Sequence, residues 1–457
     1  MADVGLEETG PGAIERPDLA MPAVRRRVWL LAAPIILANL GQPLMGMVDT
    51  ALSGHLEDPA LIGSVSVGAL IFSFLFWGFG FLRLATGGFT AAARGAHDDI
   101  EIRAVLGRAL LMAWVLALVV LLLQAPVERL ALDLIAASEA VTAGAATYFS
   151  IRIWAAPATL AFYCMHGWLL GMQDTRSVMI LTLTLQGLNA GFSCFLVLVL
   201  DWGIEGVAAG TLAAEYAAAG IGLLLVRRHW KRHPARVPRK LLLDRNKLKG
   251  MVGVNVNLMI RTFALLTSIG IFTSVSAQFS DRTLAANNLL QQLFALLVFA
   301  LDGFADASEA LVGYAKGARD RLRASRTIKA AVQIACLLAL CGSLAYWVVG
   351  GAVLELFTKH EEVVEEARAY LPYMVVLPLI GVWCFVFDGT FIGALRTVAI
   401  RNAMLISLAF FWAAQALLVP IWGNDGLWLA FLLFFAARGV TLAVALPRLL
   451  DSIGPRP

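Results

Sequence analysis

Twelve stretches of this chain are each long and apolar enough to span a lipid bilayer, and that leaves few folds open to it. They fall at roughly 28–53, 60–88, 104–124, 142–170, 178–200, 204–226, 250–279, 284–314, 328–350, 370–394, 402–421 and 426–447. A helix needs about 20 apolar residues to cross the hydrocarbon core. Only 15% of the 457 residues are charged and 60% are hydrophobic, where a soluble domain carries about 25% charged residues. With no water in the hydrocarbon core, the backbone must satisfy its own hydrogen bonds, and helices do so. The expected class is an all-α polytopic membrane protein with twelve transmembrane helices.

Charge placement sets the expected orientation. Arg25, Arg26 and Arg27 precede the first span. Ten Lys/Arg and one acid lie between Arg227 and Lys249, and six with one acid between Lys316 and Lys329. Acidic loops carry Glu128, Asp133 and Glu139 after span three, and four Glu between Lys359 and Arg368 after span nine. This alternation follows the positive-inside rule. It predicts cytoplasmic N- and C-termini in a bacterial inner membrane. The net charge of +4 is therefore topological and gives no reason to expect nucleic acid. The polar N-terminus, with Glu7, Glu8, Pro11 and Pro17, lacks the form of a cleaved signal. Cys164, Cys194, Cys336, Cys341 and Cys384 sit in apolar segments and read as packing residues.

The sequence repeats. ARGAHD at 93–98 matches AKGARD at 315–320, and Tyr148, Gly167 and Gly171 recur as Tyr370, Gly389 and Gly393, all at an offset of 222. Trp202-Gly203 with Gly206 recurs as Trp422-Gly423 with Gly426, at 220. Each half holds six spans, so the two insert in the same orientation. Parallel repeats of this kind predict two bundles around a central cavity. The expected division is a tail 1–24, an N-lobe 25–226, a basic linker 227–249, a C-lobe 250–450 and a tail 451–457. Glycine pairs four apart, such as Gly167/Gly171 and Gly389/Gly393, predict close helix packing.

Several chemistries lack their signatures. No GxxxxGK[ST] phosphate loop occurs, and no HExxH or paired Cys/His spacing suggests a metal. Asp98-Asp99 reads as a solvated helix-end pair. No cofactor is expected.

Ionisable residues inside spans are costly and are functional or structurally paired. Counting about 1.5 Å per residue, Asp49, Ser193 and Thr211 share a depth in the outer leaflet. Asn189 lies on the face of Ser193, and Glu215 lies one turn beyond Thr211. In the second half Asp302, Asp306 and Glu309 share one face of span eight. Arg261 and Asp388 lie at matching depth, so Arg261 is expected to pair with Asp302, Asp306 or Asp388. Pro34 and Pro43 make span one a candidate bending element or a static kink.

The segments MVDTALSGHL at 47–56, FLRLATGGFTAAARG at 81–95, WGIEGVAAGTLAAEY at 202–216, LDGFADASEALVGYAKGARD at 301–320 and FDGTFIGALRTVAIRN at 387–402 resemble the multidrug and toxic compound extrusion (MATE) family, in its DinF-like branch. The resemblance covers about 25–450. It implies two six-helix lobes, a V-shaped cavity and cation-coupled antiport of organic compounds. It also implies a coupling group at Asp49, Asn189, Ser193 and Thr211, with Pro34 as the bending point of helix one. Ser193 stands where the family pattern has a second Asp, and Asp306 where an uncharged residue is expected. Gln42, Glu215, Arg261, Asp302, Asp306 and Asp388 are further candidates for coupling or the cavity wall.

The expected function is a secondary antiporter, exporting small organic, cationic or amphiphilic compounds against H⁺ or Na⁺, monomeric and not an enzyme. One rival is a flippase for a lipid-linked precursor, which calls for a cavity rich in Arg and Lys. A polytopic membrane enzyme is the other, and it calls for a catalytic cluster at a membrane surface.

Overall fold

The computed structural model describes residues 17–41, 59–135, 137–232, 235, 237–358 and 360–454, which are helical almost throughout and contain no strand. Nine helical runs among them are long and apolar enough to cross a membrane. One, Thr397–Asp451, is two spans, because Gly423 breaks it at φ 55° and ψ −130°. Another span is assembled from Glu139–Arg152, a 3-10 turn at Ile153–Ala155 and Ala156–Gly171. Met21–Asn39 is the described part of the first. Together these make twelve spans in two six-helix lobes.

In chain order, span 1 is Met21–Asn39. Span 2 joins Pro59–Gly78 to Phe81–Gly95 across a two-residue break. Span 3 is Asp99–Leu122, span 4 is 139–171, span 5 is Thr175–Cys194 with a π-helical turn at Phe195–Val199, and span 6 is Gly203–Arg232. Spans 7 to 10 are Arg245–Ser276, Asp281–Gly317, Arg321–Phe357 and Glu361–Gly393, and spans 11 and 12 flank Gly423. Span 2 thus runs past the expected end at 88 and breaks at Phe79-Gly80. The acidic segment after span 3 was expected as a loop and is instead the helix Gln124–Ile135. Its Val127, Leu130, Ala131 and Leu134 are spaced i, i+3, i+4, i+7, an amphipathic pattern that suits a helix. Asp98 caps span 3 by accepting from Glu101 N at 2.9 Å, in keeping with a helix-end role.

The repeat is visible in the backbone. His97 and Arg319 (φ 55° and 53°) share the left-handed region, as do Gln173 and Leu395 (both φ 54°). Each pair is 222 apart. Non-glycine residues adopt this conformation rarely. Here each one ends a span with the same double hydrogen bond. Asp98 N donates to Ala93 O and Asp320 N to Ala315 O, and Asp174 N donates to Leu169 O and Arg396 N to Phe391 O. This six-to-one bond marks a Schellman turn. Four junctions at one end of the bundle, termed proximal because span 1 starts there, are built alike.

The lobes meet about a pseudo-twofold axis. Span 2 packs on span 8, span 1 on span 8 as span 7 on span 2, and span 4 on span 8 as span 10 on span 2. Glycines permit the approach. A Cβ on Gly95 would overlap Tyr314 O, and one on Gly317 would overlap Ala92 O, its repeat equivalent. Within the lobes, a Cβ on Gly167 would overlap Arg83 O, and one on Gly389 would overlap Ala305 O. The expected close packing at the paired glycines is therefore present in both halves.

Around this core the outward faces are apolar. Trp114, Trp347, Val348, Leu356, Leu417 and Ile421 are all exposed. Such a surface is stable only against lipid.

Candidate ion-coupling site and buried charges

Three of the four residues expected to form the N-lobe group come together. Asn189 Oδ1 on span 5 accepts hydrogen bonds from Ser193 Oγ at 3.2 Å and from Thr211 Oγ1 of span 6 at 3.0 Å. Ser193 and Thr211 are buried. Gly210 brings the helices this close, since a Cβ there would sit 2.7 Å from Ser193 N and Oγ. Asn189 and Ser193 share a helix face because they are one turn apart. Asp49, the fourth member, lies outside the described residues, as do Gln42 and Pro43.

Pro34 lies inside span 1, whose helix continues through it. Just beyond, span 1 rests on span 8, where a Cβ on Gly303 would overlap the Ile36 side chain. Asn39 Nδ2 donates to Phe299 O at 3.1 Å, and Gln186 Nε2 to Ala38 O at 3.4 Å. Span 1 is thus held between the N-lobe's span 5 and the C-lobe's span 8.

Glu215 does not join the Asn189 group. It pairs with Arg152 of span 4 at 3.0 Å and accepts from Thr159 Oγ1. Arg152 also donates to Tyr148 Oη at 3.1 Å and lies over the Phe72 ring.

In the C-lobe, Arg261 pairs with Asp388, as expected for one of its three candidates. Arg438 of span 12, which is 1% exposed, takes the same carboxylate. The pairing partner of Asp306 is in the other lobe. Arg83 of span 2 donates to both its oxygens, at 3.0 and 2.9 Å. Asp306 therefore has its counter-ion across the lobe interface. Asp302 lies one turn away, in the field of Asp306, Arg83, Arg261 and Arg438.

Reasoning from sequence missed Arg83, Arg152 and Arg438. Their signal was present, since each is a guanidinium within an apolar span, a position that demands a partner.

At the proximal end, outside the spans, Asp174 caps span 5. It accepts from Ser177 N at 3.2 Å and Ser177 Oγ at 2.7 Å, and pairs with His229 Nε2 at 2.7 Å. Burial alone would raise its carboxyl, but the bonds from His229 and Ser177 outweigh burial and hold it well below the usual carboxylate range.

The comparisons agree with this architecture. The MatE family model matches residues 34–195 and 259–414, one block in each lobe. The chain belongs to the MATE family. It is 38% identical to DNA damage-inducible protein F of Escherichia coli K12, over 92% of this chain and 91% of that protein. A probable multidrug resistance protein NorM of Pseudomonas syringae pv. tomato is 25% identical, over 92% of this chain and 95% of that one. In fold it is similar to a crystal structure of MATE in the straight conformation, with a TM-score of 0.86 at 16% identity, covering 96% of this chain and 99% of that one. This MATE protein is a multi-pass membrane efflux transporter, and it belongs with transporters rather than enzymes.

Proposed function

We propose that this MATE protein is an antiporter that couples export of small organic, cationic or amphiphilic compounds to entry of H⁺ or Na⁺. The observation that carries the reading is the Asn189 amide oxygen held between the hydroxyls of Ser193 and Thr211. A neutral polar group fixed between two membrane-spanning helices is a ready partner for one ion and one carboxylate. Asp49 supplies that carboxylate. In the state open away from the proximal end, Asp49 takes the ion. Span 1 then bends near Pro34, the N-lobe cavity shrinks and substrate leaves. In the opposite state the ion departs and substrate enters. The ion drives the cycle only through its different affinity for the two states. Gln42, Glu215, Arg261, Asp302, Asp306 and Asp388 serve apart from this group, as secondary coupling or cavity residues.

In this reading the proximal end is cytoplasmic, as the arginines before span 1 and the basic segment 227–249 favour. Both tails and the linker between lobes then lie inside. One chain holds the whole site, so a monomer suffices, and no cofactor takes part. A lipid-precursor flippase is disfavoured because Arg83, Arg152, Arg261 and Arg438 are each committed to a carboxylate. The test is efflux of a cationic dye from proteoliposomes under pH and Na⁺ gradients imposed separately. Efflux driven by neither gradient overturns the reading.

A further inference from the structure

Glu309 is a charge with no explanation in the site described above. It sits on span 8 where the lobes meet, 1% exposed, and neither carboxylate oxygen has a hydrogen-bond partner among the described residues. Its place is set by symmetry. Glu309 and Gly87 are repeat equivalents, 222 apart, and they face each other across the pseudo-twofold axis. A Cβ on Gly87 would overlap Glu309 Oε1. Gly87 therefore provides the hollow that the Glu309 carboxyl fills when the lobes close.

The charged and titratable groups on the helices packed around Glu309 leave it without a cation of its own. On its own helix are Asp306 and Asp302, both acids. On span 2 the nearest cation, Arg83, gives both its donated bonds to Asp306. On span 4 are His166 and Tyr163, which lie in the field of Arg83. Toward span 10, Asp388 holds Arg261 and Arg438. The buried cluster thus has three guanidiniums, Arg83, Arg261 and Arg438, and four carboxyls, Asp302, Asp306, Asp388 and Glu309. It is neutral when it carries one proton. Asp302 and Glu309 both lack a hydrogen bond or ion pair among the described residues, but Asp302 is only half-buried whereas both Glu309 oxygens are dry. A dry carboxylate with no partner is among the costliest groups to bury, so the proton belongs on Glu309.

We propose that Glu309 binds a gating proton that closes the proximal end of the transporter. Closing the lobes transfers one proton from water to the Glu309 carboxylate, giving the neutral acid that packs on Gly87. Parting the lobes wets the side chain, and the acid returns its proton to water on the same side. Taken and returned at one face, this proton adds nothing to the charge moved per cycle. It sets which way the protein faces. The gating role rests on the alternating-access reading above, while the protonation of Glu309 stands apart from it.

Two measurements test this. Infrared spectroscopy of the purified, proximally closed protein at neutral pH should show a protonated-carboxyl C=O stretch that disappears in Glu309→Gln. An unchanged band overturns the assignment. Should Glu309→Gln fail to fold, Gly87→Ala reads the same point: its methyl expels the carboxyl from the hollow and the band is lost, whereas a band of wild-type intensity overturns the assignment. For gating, spin labels on Ala96→Cys and Ala318→Cys, in a protein with its five native cysteines replaced, report the distance between the two lobes' proximal ends. In an Asp49→Asn background the closed-to-open ratio should fall about tenfold per pH unit once Glu309 ionises, the slope of a one-proton equilibrium. Adding Glu309→Gln should abolish that slope and leave the closed form dominant. A slope that survives Glu309→Gln overturns the gating role. Wild-type efflux under separate gradients, run alongside, shows independently whether the antiport reading holds.

Discussion

The two lobes share a backbone plan and differ in what they bury. Both halves end their even-numbered spans 2, 4, 8 and 10 in the same left-handed junction, and both pack those helices through the same glycines. Yet the N-lobe holds a neutral hydrogen-bonded group, Asn189 with Ser193 and Thr211, and separate ion pairs, Arg152–Glu215 within it and Arg108–Glu101 and His229–Asp174 toward its proximal end. The C-lobe and the lobe interface hold three arginines and four acids. A repeat can keep its folding instructions, which reside in turns and close approaches, while its buried polar groups diverge. Packing must be met in both copies, whereas a chemical role needs only one.

The sharpest way to break this contrast is to remove the acid proposed to join the neutral Asn189 group. Asp49→Asn should abolish ion-driven dye efflux and leave the fold intact, because an amide fits where the carboxyl stood but cannot exchange a proton. Efflux at the wild-type rate in proteoliposomes would show that coupling lies elsewhere, with the charged lobe as the first candidate.

A second test strikes the charged lobe where it should be structurally brittle. Asp388→Ala leaves Arg261 and Arg438 buried without their shared carboxylate, and should cost about 3–5 kcal/mol of stability, read as a lowered thermal midpoint in detergent. Arg261→Ala should cost less, since Arg438 keeps its bond to Asp388. Combining Arg261→Ala with Asp388→Ala should recover part of the loss. A double variant as unstable as the sum of the singles would mean the three do not act as one unit.

Making the lobes more alike sharpens the contrast. Ser193→Asp gives the N-lobe a second carboxyl beside Asn189, and the pH profile of efflux should acquire a second titrating group. Two neighbouring carboxylates cannot both ionise cheaply. A profile identical to wild type would argue that Ser193 does not adjoin Asp49.

The smallest expected effect lies at a junction. Asp174 is held ionised by His229 and Ser177 in the folded protein. A carboxyl depressed on folding contributes stability above its unfolded value, near 3.8. That contribution is lost as pH falls through the lower folded value. Asp174→Ala should cost about 1 kcal/mol at neutral pH, the worth of a helix cap, and should flatten the acid limb of the stability–pH curve. The repeat-related junction has Arg396 at this position, with no side-chain cap, so Arg396→Asn should leave that limb unchanged.

Much of the fold was legible from the sequence, because hydropathy and the 222-residue offset act over long stretches. Twelve spans, two halves and the close glycine contacts all follow from them. The Asn189, Ser193 and Thr211 group was legible from depth and helix face, since neighbouring antiparallel helices align residues at equal depth and residues one turn apart share a face. Pairings between distant helices were not. Arg83 and Asp306 are 223 residues apart in sequence, and nothing local says that spans 2 and 8 cross there. The helix Gln124–Ile135 is obscured in the sequence because its Glu128 and Asp133 fit the charge pattern of a loop, while its apolar i, i+3, i+4, i+7 spacing runs for only two turns.

Consider finally the seam where Gly95 meets the Tyr314 carbonyl and Gly317 meets that of Ala92. Backbone lies against backbone there, with no side chain of either glycine between. Closing such a seam freezes no rotamers at these positions, and opening it releases none. Carbonyls already bonded within their own helices can also be wetted without being orphaned. A door hung on this seam has little to unlatch at the hinge line itself. The work of opening falls instead on the few charges set along it, where a change of ionisation is enough to turn it.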